Sequence, residues 1–102
     1  MERNVKISIL LDIYKNMLTD RQADIVDLYY NQNLSLSEIA DEIGVTRQAI
    51  RKSLVEAEKN LIMLEDKLNI CEKQKIRQEK IDEILKIIKD DKIAKLVEEL
   101  KT

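Results

Sequence analysis

Apolar residues recur at helical spacing along almost the whole chain. Positions three and four apart over residues 5–18 predict a first amphipathic helix. A second apolar face predicts a helix from Thr19 to about Tyr30, where Thr19 and Gln22 have the spacing of a capping box. The polar run at residues 31–33 interrupts the pattern and predicts a loop.

Residues 36–55 have the pattern of a helix-turn-helix. Ser35 and Glu38 form a second capping box, which predicts that a short helix begins at residue 36 and runs to residue 43. Gly44, the only glycine of the chain, can take the left-handed conformation that ends a helix. Thr46 is then a suitable cap for the next helix.

Small and apolar residues stand where the two helices of such a unit must meet. Ala40 falls at the close approach, and Val45 and Ile50 are apolar where the second helix faces the first. Two capped helices joined at a glycine favour a nucleic-acid reader. The alternative is a set of small helices packed together without a nucleic-acid role.

A heptad-like series of apolar residues begins in the second helix of this unit. The spacing predicts one long helix from residue 47 to about residue 72. At about 1.5 Å per residue, it would be longer than a three-helix headpiece requires. Its outer half therefore packs either on other helices of the same chain or across a homodimer, and both interpretations stay open. The predicted seam beyond Ile50 consists of Leu54, Ala57, Leu61, Leu64, Leu68 and Cys71.

The C-terminal part of the chain predicts further helices after a polar interval. Residues 73–80 are rich in charge, which predicts a bend or loosening. Apolar spacing then predicts a helix around residues 81–88 and a last helix capped by Asp90 or Asp91. We therefore expect a headpiece over residues 1–72 and a helical segment over residues 73–102, which belongs to the same compact domain or packs in a dimer.

Composition agrees with an all-α protein and excludes several classes of site. The 102 residues include one glycine, no proline, one cysteine and no histidine. A structural zinc site, an internal disulfide and histidine acid–base catalysis are therefore excluded. We expect no enzyme, no cofactor and no small-molecule substrate. No apolar run approaches the roughly 20 residues of a membrane span, so we expect a cytoplasmic protein that does not contact a membrane.

The distribution of charge limits what the helix-turn-helix could bind. The net charge is −2, whereas nucleic-acid-binding domains are often basic. Residues 35–72 hold five cations and eight acids, a net charge of −3, and residues 73–102 hold nine cations and seven acids, a net charge of +2. Affinity for DNA would therefore depend on a dimer or a helper.

The first turns of the second helix carry side chains that suit DNA. Arginine can pair with guanine, glutamine with adenine, and threonine or lysine with phosphate. The alternative is that the cations pair with nearby acids as ordinary surface charges, which contribute roughly 0 to 1 kcal/mol per pair. The candidate nucleic-acid-binding residues are Thr46, Arg47, Gln48, Arg51 and Lys52.

The stretch over residues 18–54 resembles region 4 of bacterial sigma factors, the helix-turn-helix that reads promoter DNA. Over the whole length, the chain is more similar to the small YlxM family of low-GC Gram-positive bacteria, through the motif TDRQ…DLYY…LSLSEIA…GVTRQAIRK. This motif covers about a third of the chain, and the tail is similar mainly in length and character. Ser53 departs from the general pattern, in which an apolar residue is usual.

The family resemblance implies a regulatory helix-turn-helix protein encoded beside the signal recognition particle GTPase, with a role in that targeting pathway. It implies the recognition positions Arg47, Gln48, Arg51 and Lys52. Three functions are therefore considered: a regulator that contacts the signal recognition particle GTPase or its RNA, a sequence-specific transcription regulator, and a structural dimerisation module.

Overall fold

The computed structural model describes residues 5–101, which contain six α-helices and no β-strand. A 3₁₀ turn at Lys15–Met17 follows the first helix, and a π-helical turn at Asp27–Asn31 follows the second. The predicted all-α class is therefore confirmed. The helices are α1 (Val5–Tyr14), α2 (Asp20–Val26), α3 (Leu36–Ile43), α4 (Arg47–Leu68), α5 (Ile70–Ile87) and α6 (Asp91–Glu99).

The predicted helix starts are confirmed at their caps. The Thr19 hydroxyl accepts a hydrogen bond from the amide of Gln22 at 3.1 Å, and the Gln22 side chain accepts one from the Thr19 amide. Ser35 and Glu38 form the same reciprocal pair at the start of α3. These bonds satisfy amides that have no partner within their own helix.

Helix α4 is the element against which the rest of its unit packs. It contacts α1, α2 and α3. Apolar side chains of all four helices are shielded from solvent together, which supplies the main stabilisation of this unit. The buried residues are Ile7, Leu10, Leu11, Tyr14, Leu18, Ala23, Ile25, Val26, Ile39, Ala40, Ile50, Leu54, Ala57 and Leu61.

The first two helices end earlier than the apolar spacing predicted. The first helix gives way to the 3₁₀ turn after Tyr14, and Met17 is consequently exposed although it fits the apolar spacing. The second widens into the π-helical turn, in which the Gln32 amide donates to the carbonyl of Asp27 at 3.1 Å. Side chains stabilise this widened turn, because Asn31 and Gln32 both donate to the Asp27 carboxylate.

The long helix ends at Asn69, whereas the sequence predicted that it would continue to about residue 72. Asn69 adopts a left-handed conformation with φ of 53°, and its amide donates to the carbonyl of Glu65 at 2.8 Å. Asparagine is one of the few residues other than glycine that takes this conformation readily. The predicted bend over residues 73–80 is wrong, since α5 is continuous through that stretch.

The described residues form two compact units whose boundary falls between Asn69 and Ile70. The second unit pairs α5 with α6, and the Lys101 ammonium lies 3.2 Å from the Asp82 carboxylate. Asp90 caps α6 by accepting hydrogen bonds from the amides of Lys92 and Ile93. None of the helices within residues 5–101 combines the length and the apolar character that a membrane span requires.

Candidate nucleic-acid interface

The candidate recognition residues lie together on the exposed side of α4. Arg47, Gln48, Arg51 and Lys52 are all exposed, and their spacing places them on one side of the first two turns. Ile50 and, one turn later, Leu54 point to the opposite side and are buried. The core therefore fixes which side of the helix faces outward.

The cations of this surface are available to a ligand. Among the described residues, no ion pair or side-chain hydrogen bond engages Arg47, Arg51 or Lys52. The surface-charge alternative required them to pair with neighbouring acids, and that pairing is absent from the described residues. We call the side chains of Arg47, Gln48, Arg51 and Lys52 the reading face.

The start of α4 adds a favourable field to the reading face. Thr46 precedes the helix, and its hydroxyl accepts a hydrogen bond from the amide of Ala49 at 3.1 Å. The first turn contains no acidic side chain. Because the helix dipole places partial positive charge at this end, an approaching phosphate is attracted by backbone and side chains alike.

An acid interrupts the exposed side of α4 beyond the reading face. Gln48, Arg51 and Lys52 line an open depression of about 540 Å³ together with Val55, Glu56 and Lys59. Glu56 is exposed and lines the same depression as Arg51 and Lys52. Its negative charge opposes phosphate at this position.

Two other acids of α4 are directed at tyrosines and hold the helix in place. The Tyr30 hydroxyl donates to Glu58 Oε1 at 2.7 Å, and the Tyr14 hydroxyl donates to Glu65 Oε1 at 2.6 Å. A bond between a hydroxyl and a carboxylate is stronger than one between neutral groups. These two contacts tie α4 to the π-helical turn and to α1, and so help to orient the reading face.

Sequence reasoning missed this anchoring role. From the sequence alone, Glu58 is expected to be an acid near the reading face, as Glu56 is, and Tyr14 and Tyr30 are expected to be core or core-edge residues. The available signal was the seven-residue spacing of Glu58 and Glu65, which places both on one side of α4. The sequence did not reveal which tyrosine each carboxylate would meet.

The carboxylates of α3 do not contact the reading-face cations. The Ser35 amide donates to Glu38, and this hydrogen bond holds the pKa of Glu38 below its usual range. Asp41 and Glu42 are exposed on the same helix. The field near the reading face is therefore mixed in sign, as the sequence predicted from its acids and cations.

The predicted seam is divided between buried and exposed positions. Leu54, Ala57 and Leu61 are buried in the core of the first unit. Leu64 is half-buried and Leu68 is exposed. Cys71 is half-buried and lies on α5, because the left-handed Asn69 separates it from the helix that carries the other five.

A metal site is not formed by the part of the chain that the structure describes. No three or more acidic or cysteine side chains within residues 5–101 are grouped in a way that could hold an ion. Ser53, the departure noted in the recognition helix, is half-buried between the exposed and buried sides. What α4 offers within the described chain is a charged, hydrogen-bonding surface.

A short helix that ends at a left-handed glycine, followed by a capped helix with polar side chains exposed on its first turns, defines a helix-turn-helix protein. The chain belongs to the family described as "Putative helix-turn-helix protein, YlxM / p13 like", whose model matches residues 1–101.

Curated relatives agree with this assignment. A UPF0122 protein of Clostridium kluyveri is 40% identical over 104 residues, which cover 99% of this chain and 94% of the relative. One from Clostridium botulinum is 38% identical over 90 residues, covering 88% and 83%. One from Lactococcus lactis is 33% identical over 100 residues, covering 96% and 90%. The similarity therefore includes the C-terminal helices as well as the helix-turn-helix.

Proposed function

We propose that this protein is a non-enzymatic regulator that binds duplex DNA, with the first turns of α4 in the major groove. One observation carries the proposal: Arg47, Gln48, Arg51 and Lys52 share one exposed side of the recognition helix, and the described chain gives its cations no acidic partner. In helix-turn-helix proteins, the N-terminal residues of this helix reach the base edges.

Each side chain has a distinct role in the proposed complex. Arg47 and Arg51 carry planar guanidinium groups that can donate two hydrogen bonds to guanine, and Gln48 can make a bidentate pair with adenine. Thr46 and Lys52 contact phosphate and set the register of the helix. Base contacts would thus come from Arg47, Gln48 and Arg51, and phosphate contacts from Thr46 and Lys52.

Charge predicts modest affinity with a shallow dependence on salt. Residues 35–72 carry a net charge of −3, so only a few phosphates are neutralised by each chain. With about two or three phosphate contacts, the slope of log K against log salt is about −2 to −3. A strongly basic domain would show a steeper slope.

Binding to promoter DNA measured at two salt concentrations tests the proposal. Fluorescence anisotropy or a gel shift compares the wild type with Arg47→Ala and Arg51→Ala. Each substitution removes a potential bidentate base contact, so we expect a loss of about 5- to 150-fold in affinity for the preferred sequence. Lys67→Ala, which removes an exposed cation from the last turn of α4, is the matched control and should bind as the wild type does.

Two results would contradict DNA reading. One is the absence of binding at low salt. The other is binding that is indifferent both to DNA sequence and to Arg47→Ala, since phosphate attraction alone would then account for it.

A second candidate function is regulation of the signal recognition particle pathway through the particle's GTPase or RNA. The favouring observation is the charge of residues 73–102, which hold nine cations and seven acids while the helix-turn-helix is acidic. Lys86 and Lys89 are both exposed and could contact an acidic protein surface or RNA.

Capture of the GTPase or its RNA tests the second candidate. We expect the double substitution Lys86→Glu, Lys89→Glu to reduce capture by reversing two charges, while Lys6→Glu in α1 leaves it unchanged. Equal capture by the wild type and the double variant would exclude these lysines as the contact.

A further inference from the structure

An apolar side chain lies exposed beside the reading face. Val55 lines the open depression on α4 together with Gln48, Arg51 and Lys52. Among the described residues that line this depression, Val55 is the one apolar member, and it is 39% exposed. A ligand bound at the depression would therefore cover an isopropyl group as well as charged and hydrogen-bonding side chains.

Helical spacing places Val55 on the side of α4 that carries the candidate DNA contacts. Gln48, Arg51, Lys52 and Val55 stand at positions i, i+3, i+4 and i+7, so they share one side of the helix. In helix-turn-helix proteins of the homeodomain type, four residues with this same spacing read the major groove. Leu54, the neighbour of Val55 in sequence, is buried in the core and fixes the outward direction of Val55.

The chemistry of valine restricts what it can recognise in DNA. Its side chain neither donates nor accepts a hydrogen bond, so it cannot pair with the polar edge of a base. The major groove presents one kind of apolar group, the C5 methyl of thymine. Contact between this methyl and the isopropyl group of Val55 would remove apolar surface of both partners from water, which is favourable.

We propose that Val55 is a specificity-determining residue that contacts the C5 methyl group of a thymine in DNA bound by the reading face. This assignment rests on the proposed function. It adds a base that the reading face does not itself select, because arginine pairs with guanine and glutamine with adenine. The preferred DNA site should therefore contain a thymine at a fixed position.

The geometry of the helix limits where that thymine lies. Val55 follows Gln48 by seven residues and Arg51 by four. At about 1.5 Å per residue, these separations are about 10 Å and about 6 Å along the helix axis. Because base pairs follow one another about every 3.4 Å, the thymine should lie within about three base pairs of the adenine bound by Gln48, and within about two of the guanine bound by Arg51.

Replacement of thymine by uracil tests the contact, since it removes only the C5 methyl group. The preferred duplex is first selected with the full wild-type chain from a pool of random-sequence duplexes. Each of its thymines is then replaced in turn by uracil, and binding is measured by fluorescence anisotropy. At one thymine within the predicted distance, we expect the wild type to lose affinity by roughly three- to fivefold, the effect of withdrawing one methyl group from an apolar contact.

Two variants assign this loss to Val55. Val55→Ala should bind the thymine and uracil duplexes with nearly equal affinity, because the methyl group has lost its partner. Alanine favours a helix at an exposed position, so the fold should be retained, which circular dichroism measures. Ile62→Ala is the matched control: Ile62 is 47% exposed, lies about two turns further along α4, and should leave the wild-type discrimination unchanged.

The possible results separate this contact from DNA reading in general. A preferred site without a thymine in the predicted range, or without a position that is sensitive to uracil, overturns the role of Val55 but leaves DNA reading intact. Equal sensitivity of the wild type and Val55→Ala overturns it too, since another group would then contact the methyl. If the protein binds no DNA, or binds it without sequence preference, both this role and the proposed function are overturned.

Discussion

At the scale of single residues, left-handed backbone conformations mark the ends of three helical segments. Asn33, Gly44 and Asn69 have φ values of 59°, 85° and 53°. Each lies after one helical segment and shortly before the next helix. Two of these positions carry asparagine, which tolerates the conformation at some cost, and one carries glycine, which takes it freely.

Substitution of Gly44 should destabilise the protein through its backbone alone. A Cβ atom added at this position would meet no atom within 4 Å, so no steric contact contributes. We expect Gly44→Ala to lower the free energy of unfolding by roughly 1 to 2 kcal/mol, and Gly44→Asn to lower it by less. Urea unfolding followed by circular dichroism measures both; equal losses would show that the left-handed conformation is not the cause.

The protein should lose stability in acid as the Asp27 carboxylate becomes protonated. Hydrogen bonds from Asn31 and Gln32 hold the pKa of its carboxyl below its usual range, and Lys15 adds a smaller electrostatic effect in the same direction. The unfolded chain therefore takes up the proton at a higher pH than the folded chain does. The contribution of Asp27 to stability is full above the unfolded-state pKa and is lost as the pH falls through the lower folded-state pKa.

Thermal unfolding between about pH 2 and pH 6, the range that spans the ordinary titration of aspartate, tests this dependence. Asp27→Asn removes the titrating group, so the midpoint should depend less on pH in the acid range than it does in the wild type. Asp12→Asn, an exposed carboxylate of α1, is the matched control and should preserve the wild-type dependence. If Asp27→Asn leaves the pH dependence of the midpoint in the acid range unchanged, Asp27 is not the cause of that dependence.

At the scale of the element, α4 combines a buried side that stabilises the fold with an exposed side proposed to bind DNA. Ile50 and Leu54 lie on the first, and Gln48 and Arg51 lie on the second. Contacts with three other helices fix the rotation of α4 about its own axis. The hydrogen bond of Glu58 with Tyr30 removes one acid from competition for the exposed cations.

Neutralising Glu56 should strengthen DNA binding. Its carboxylate lies on the depression that Arg51 and Lys52 also line, so it repels phosphate there. We expect Glu56→Gln to raise affinity by roughly two- to fivefold at low salt, with the gain declining as salt screens the charge. Asp66→Asn, ten residues further along α4, is the control; an equal gain in both variants would indicate a general charge effect.

The sequence predicted the helix-turn-helix well because its signals are local. Ser35, Gly44 and Thr46 each act within one turn of backbone, so their roles follow from residue type and spacing. The ends of α1, α2 and α4 were predicted less well. Asn69 closes a helix without a glycine or proline to mark it, and the π-helical turn depends on side chains that converge on Asp27.

The sequence was enough to predict which candidate residues share one side of α4, but not which side chains surround them. Spacing alone placed Arg47, Gln48 and Arg51 on one side of a helix, and the structure exposes all three. Spacing could not show that Glu58 is directed at Tyr30 while Glu56 faces outward, because a tyrosine 28 residues away decides it. Contacts between distant parts of a chain are invisible to periodicity.

At the scale of the whole molecule, the division at Asn69 separates the large core from the helix pair that follows it. Among residues 5–101, all the buried apolar residues except Ile81 belong to the first unit. This distribution indicates that the helix-turn-helix contains its own stabilising core.

A chain that ends at Asn69 should therefore fold by itself. We expect a cooperative thermal transition with a midpoint within about 5 °C of the longer chain's, since the main core is retained. Circular dichroism measures the transition; a gradual, non-cooperative melt would show that the first unit depends on the second.

The two sides of α4 have a consequence for how this protein can diverge. Along the helix, buried residues that determine the fold alternate with exposed residues that are proposed to bind DNA, and the two sets share no member. Substitutions on the exposed side usually change stability by less than about 0.5 kcal/mol, so they accumulate without loss of the fold. A lineage can thus exchange one binding specificity for another while its scaffold is inherited unchanged.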